Sequence, residues 1–121
     1  MANSPASISL TTLRDELRTF AAERDWDQFH TPKNLAAALS VEAAELLEPF
    51  QWIKTGESDE LDEKKLTAIR NELGDVLIYL VRLADKLDVD LMTAATEKLA
   101  LNCAKYPADR VRGDSRKYSE Y

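Results

Sequence analysis

Glu42-x-x-Glu45 and Glu72-x-x-Asp75 place two acidic pairs inside the two most apolar stretches of this 121-residue chain. A carboxylate taken out of water without a partner is costly, or its pKa rises until it is neutral. Four acids converging on one place therefore call for positive charge between them. A hard divalent cation, with its preference for oxygen ligands, supplies that charge most simply.

Helical geometry makes the convergence feasible. At about 100° per residue, Leu35, Ala36, Leu39, Ala43, Leu46, Leu47 and Phe50 form one apolar stripe. Glu42 falls on its edge, in the row of Leu35, Leu39 and Leu46, and Glu45 lies one step further round. The second stretch repeats the offset: Leu66, Ile69, Leu73, Val76, Leu77, Leu80 and Leu87 form the stripe, with Glu72 on its edge and Asp75 one step outward. Two such helices packed antiparallel bring identical flanks to the same side, so all four carboxylates can meet at one rim. A single Glu-x-x-Glu pair is commonly just a solvated face; two pairs with the same offset point to a metal site.

The elements that must carry these residues can be read from periodicity and punctuation. A first helix is predicted over residues 9–24, with Leu10, Leu13, Leu17, Phe20 and Ala21 on one face and Ser9 or Thr11 as cap. The aromatic-rich segment from Asp25 to His30 is not helical. Thr31-Pro32 opens a second helix as N-cap and first-turn residue, running to about Glu48. The polar linker at 55–60 precedes a long, apolar third helix over 59–86. Asp88 or Asp90 begins a fourth, and Pro107 stops it. No β-alternation and no glycine-rich phosphate loop is present. The chain reads as all-α, most simply a four-helix bundle. Ile78 and Val81 add apolar surface to an already full stripe on the third helix, which predicts an oligomer that covers them.

The whole chain reads as one domain over residues 1–121, with a helical core at about 9–106 and a basic tail at 107–121. Its 45% hydrophobic and 31% charged residues are those of an ordinary globular protein. The longest apolar run, Val76 to Val81, is far too short to span a membrane. The N-terminus lacks the features of a secretory signal, and the one cysteine, Cys103, excludes an intrachain disulfide. A cytoplasmic location is expected. A net charge of −6 argues against a nucleic-acid binder. Arg110, Arg112, Arg116 and Lys117 nevertheless crowd the tail, so a polyanionic ligand could meet cations on the carboxylates and basic side chains further out.

Glu42-Ala43-Ala44-Glu45 followed by Glu72-Leu73-Gly74-Asp75 resembles the E-x-x-E…E-x-x-D signature of the all-α nucleoside triphosphate pyrophosphohydrolases, the MazG-like group. Further segments look similar to its dCTP diphosphatase branch: Phe20 to Trp26, Gln28-Phe29-His30, Pro32 to Leu35, Phe50-Gln51-Trp52, Asp75 to Leu80, Tyr106-Pro107 and Arg112 to Tyr118. The resemblance covers roughly residues 10–118.

It implies Mg²⁺-dependent hydrolysis of a nucleoside triphosphate, dCTP or a modified dCTP, to the monophosphate and pyrophosphate. Glu42, Glu45, Glu72 and Asp75 would hold the metal, and one of them, Glu45 for instance, could act as base. Trp26 and Trp52 match positions that enclose the base. Tyr79, one turn beyond Asp75, could contact the sugar and disfavour a 2′-hydroxyl. His30 and Asn34 are candidates near the base, and Asn102 and Lys105 for phosphate binding from the fourth helix. The resemblance also implies a homotetramer, a dimer of dimers. One departure stands out: where that branch carries a histidine in the first helix, this chain has Leu17. Two other readings compete. A di-iron carboxylate bundle needs Glu-x-x-His on two helices, which neither pair supplies. A non-catalytic helical interaction module leaves the four acids and two tryptophans without a role.

Overall fold

The computed structural model describes residues 8–115; Arg116 and Lys117 of the predicted basic tail lie outside them. The described residues are helical or irregular, with no strand among them, as expected from the sequence. None of the described helices is long and apolar enough to cross a membrane.

Side-chain caps set the helix starts. Ser9 opens α1, Leu10–Glu23, its hydroxyl accepting from the Thr12 N–H at 3.1 Å. Thr31 does the same for α2, Pro32–Leu47, at 3.2 Å from the Asn34 N–H. Asp62 opens α3, Glu63–Lys86, at 2.8 Å from the Lys65 N–H, and Asp90 opens α4, Leu91–Lys105. Each cap satisfies an amide that the helix cannot. The third helix therefore starts later than predicted: residues 58–60 form a separate 3₁₀ turn. Pro107 both stops α4 and caps a short helix α5, Ala108–Val111, inside the segment predicted as tail.

α1 ends in a turn that positions Trp26. The Trp26 N–H reaches back to the Ala21 carbonyl at 2.9 Å and the Asp25 N–H to Ala22 at 3.1 Å, with Asp25 left-handed at φ 54. These two bonds make a Schellman cap with aspartate in the position that usually favours glycine.

The chain divides into two compact units, Met1–Asp88 and Val89–Tyr121. In the first, α3 packs against both α2 and α1. In the second, α4 leads into α5 through Tyr106, whose N–H bonds the Asn102 carbonyl at 2.8 Å.

Packing against two partners corrects the predicted stripes. On α2 the inward row is Leu35, Ala38, Leu39, Glu42, Glu45 and Leu46, while Ala36, Ala43 and Leu47 face out. Leu35, 1% exposed, is the largest fully buried side chain among the described residues. Along α3 the inward face changes direction. Ile69 is buried in the first half, but Val81, Arg82 and Ala84 are buried in the second, and Ile78 is half-buried. Ile78 and Val81 are thus not the surplus. Leu66, Leu73, Leu77 and Leu80, within about 60° of one another on the helix, are the large residues left exposed.

Candidate active site

α2 and α3 bring three of the four predicted carboxylates together. Glu42, Glu45 and Glu72 each offer an oxygen within 4.8 Å of the other two. Asp75 is half-buried one turn further along α3 and does not join this group. Glu42 sits in the inward row of α2 because Leu35 and Leu39 set that face, so its carboxyl is turned toward α3.

The electrostatics of the group are unfavourable as the protein stands. Glu42 Oε2 and Glu72 Oε2 are buried and have no hydrogen-bond partner. The Glu72 carboxyl beside it, burial, and then Glu45 push the Glu42 carboxyl up to about 7. A proton held between Glu42 and Glu72 relieves the repulsion in one way. A cation relieves it in another and satisfies both stranded oxygens. Opposite ligands of a Mg²⁺ ion lie roughly 4 Å apart, so oxygens already within 4.8 Å of one another need only small movements to share it. The donor set fits a hard divalent metal.

Hollows lined by described residues flank the group's helices. An open cleft of about 580 Å³ is lined by Glu45, Glu48, Pro49, Asp62, Lys64, Lys65, Ala68 and Glu72. It shares two acids with the cluster and sets two lysines against them. A smaller cavity of about 180 Å³ lies between α1 and the second half of α3, lined by Leu17, Phe20, Ala21, Trp26, His30, Ile78, Tyr79 and Arg82. Tyr79 and Glu72 are seven residues apart, hence about 10 Å along α3 and on nearly the same flank. The Trp26 ring stands edge-on to Phe20 at 5.7 Å between centroids and tilted to His30 at 6.4 Å.

Trp26, His30 and Tyr79 therefore meet in one cavity, and Leu17, where the resemblance puts histidine, is part of its wall. Trp52 is not. It is 88% exposed, in the loop after α2. That loop is closed by Glu60, whose carboxylate accepts from the Lys54 N–H, the Thr55 N–H and hydroxyl, and the Gly56 N–H. Gly56 is left-handed at φ 80, and a Cβ there would stand 2.8 Å from the Phe50 ring. Asn34 is engaged structurally, its amide donating to the Phe29 carbonyl at 2.9 Å. Asn102 and Lys105 lie one turn apart on α4, in the second unit.

Arg82 was not singled out by the sequence reading. It is 3% exposed, pairs with Asp27 at 3.0 Å, and faces His30. Its one signal in the sequence is a charge on the heels of the most apolar run in the chain, Val76 to Val81.

A sequence profile of the MazG-like family matches residues 37–121. The chain is 50% identical over 103 residues to a human protein named dCTP pyrophosphatase 1, covering 84% of this chain and 61% of that one. It is 42% identical to the rat protein of the same name, over 98% of this chain and 74% of the relative. The chain thus spans about three-fifths of the length of the human relative. Among solved structures, a pyrophosphatase from Archaeoglobus fulgidus superposes with a TM-score of 0.76 at 38% identity, over 88% of this chain and 98% of that one.

Proposed function

The chain belongs to the MazG-like family, and from that premise we propose that it hydrolyses a deoxynucleoside triphosphate, dCTP or a modified dCTP, to the monophosphate and pyrophosphate with Mg²⁺. The observation that carries this reading is the trio Glu42, Glu45 and Glu72, with two buried oxygens that lack partners. The names of the human and rat relatives support the choice of dCTP. The family profile runs across both compact units, which supports treating residues 1–121 as one functional domain.

Mg²⁺ held by these acids would neutralise phosphate charge and acidify a coordinated water. The residues themselves do the rest. Glu42 and Glu72 fix the ligand oxygens. Glu45 borders both the acid group and the open cleft, and from there it can take the proton of an attacking water. Lys64 and Lys65, on the opposite wall, are placed to meet phosphate oxygens. Asp75, three residues beyond Glu72 on α3, is the fourth acid that would complete the set around a bound metal. Trp26 and Tyr79 line the cavity that takes base and sugar, about 10 Å along α3 from Glu72. A second copy of the chain covers the exposed row on α3 and brings Trp52, Asn102 and Lys105 to the nucleotide in a homotetramer.

Pyrophosphate release from a panel of ribo- and deoxynucleoside triphosphates, with and without Mg²⁺, tests the function and names the substrate. Glu72→Gln keeps the shape and removes one charge. The variant should lose nearly all Mg²⁺-dependent hydrolysis and yet melt, without metal, at or above the parent's temperature. Persistent activity, or Mg²⁺ shifting both melting curves alike, defeats the metal assignment.

A further inference from the structure

Arg82 stands out as a buried cation that the proposed chemistry does not use. It sits in the wall of the aromatic cavity, 3% exposed. Two carboxylates hold it: Asp27 Oδ1 at 3.0 Å from Nη2, and Asp85 Oδ2 at 3.8 Å from Nη1. Both carboxylates are themselves anchored. Lys86 Nζ lies 2.6 Å from Asp27 Oδ1, and Arg18 Nε donates to Asp85 Oδ2 at 2.7 Å. Those partners hold both acids below the usual carboxylate range: for Asp27 the bonds from Lys86 and then Arg82, for Asp85 the bond from Arg18. The guanidinium is thereby fixed in place, and its remaining face is turned to His30, with Nη2 3.2 Å and Nε 3.4 Å from Nδ1.

An arginine can only donate, so the ring nitrogen that meets it must be a bare acceptor. His30 Nδ1 therefore carries no proton, and the proton of the neutral ring is on Nε2. Among the described residues, no side-chain bond to His30 other than those from Arg82 is formed, so that N–H is not spent on any of them. We propose that Arg82 is a positioning residue: it locks His30 in the Nε2–H form, so that the cavity meets its ligand with a hydrogen-bond donor and selects a nucleobase edge carrying an acceptor, a ring carbonyl or an unprotonated ring nitrogen. The opposite tautomer would present an acceptor and favour an amino edge instead. Burial, and then the charge of Arg82, also keep His30 below the ordinary histidine range, with Lys86 adding to the effect and Asp27 opposing it. The tautomer follows from the fold alone; the selection rests on the cavity being the base site.

His30 is the chain's only histidine, so its ring nitrogens can be read without assignment. In a ¹⁵N spectrum of the parent at neutral pH, Nδ1 should resonate as a pyridine-type nitrogen and Nε2 as a pyrrole-type one. Saturating dCTP with Ca²⁺, which slows the chemistry, should shift Nε2 more than Nδ1. In Arg82→Met the ring should lose the fixed tautomer and take up a proton at higher pH, with Arg82→Lys in between. KM for dCTP should rise roughly two- to tenfold in Arg82→Met, as for one lost hydrogen bond, with kcat little changed.

A parent ring that is charged or protonated on Nδ1 overturns the proposal even if Arg82→Met does not fold. A fixed tautomer in Arg82→Met removes Arg82 from the account. A correct tautomer whose signals ignore dCTP overturns the selection and, with it, the cavity as base site. Intact ring signals that respond to dCTP in a protein that does not hydrolyse it would uphold the proposal and defeat the catalytic reading alone.

Discussion

With its carboxyl pushed up to about 7, Glu42 keeps a proton in the folded chain over a pH range where the unfolded chain, near 4.5, has lost it. The folded state then binds more protons than the unfolded one, and stability must fall as pH rises through that window. We expect the metal-free protein to be less stable at about pH 8 than at about pH 5, Glu42→Gln to flatten that slope, and Mg²⁺ to offset the loss at high pH. Denaturant titrations at both pH values, with and without Mg²⁺, check all three. Glu60 works in the opposite sense. Bonds led by the Thr55 hydroxyl hold it at about 2, so its contribution is present above 4.5 and disappears as pH falls toward 2. The meeting of Glu42, Glu45 and Glu72 was legible in the sequence because carboxylates inside leucine-rich stretches demand an explanation, whereas Asp75, expected with them, stays outside the group. The ligation of His30 by Arg82 was not, because it joins residues 52 apart and only tertiary packing brings them together.

The elements were legible where their ends are chemical. Thr31 and Pro107 marked real boundaries, and Ser9 and Asp90 capped α1 and α4, each as one of two candidates. The start of α3 was misplaced because the acidic run at 59–63 reads as a helix entrance, whereas Asp62 is the residue that caps. The buried faces were harder: one stripe assumes one partner, and α3 has two. Gly74 makes a sharp test of this element. It lies in mid-helix between Glu72 and Asp75, and a Cβ there would meet nothing within 4 Å in this chain. Glycine in a helix interior costs about 1 kcal/mol relative to alanine. Gly74→Ala should therefore stabilise the isolated chain by about that amount in a denaturant melt. A destabilised variant would mean that another backbone or a ligand approaches Gly74 closely.

For the whole molecule, the row of Leu66, Leu73, Leu77 and Leu80 is an exposed apolar flank on α3 that the other described elements of the first unit do not cover. The sequence foretold a surplus on this helix but assigned it to Ile78 and Val81, since the turn of the inward face along α3 depends on how α1 packs. If a second copy covers the flank, Leu77→Lys should lower the molar mass seen by light scattering. A monodisperse parent monomer at micromolar concentration would refute the assembly. If the exposed Trp52 stacks on the base as proposed, that assembly is tied to turnover, because a surface that one chain leaves in solvent would then be supplied across an interface. Mass action then governs the reaction as well as the association: specific activity should decline on dilution below the subunit dissociation constant, and recover when unlabelled, catalytically dead Glu72→Gln chains are added to complete the pockets of the active ones.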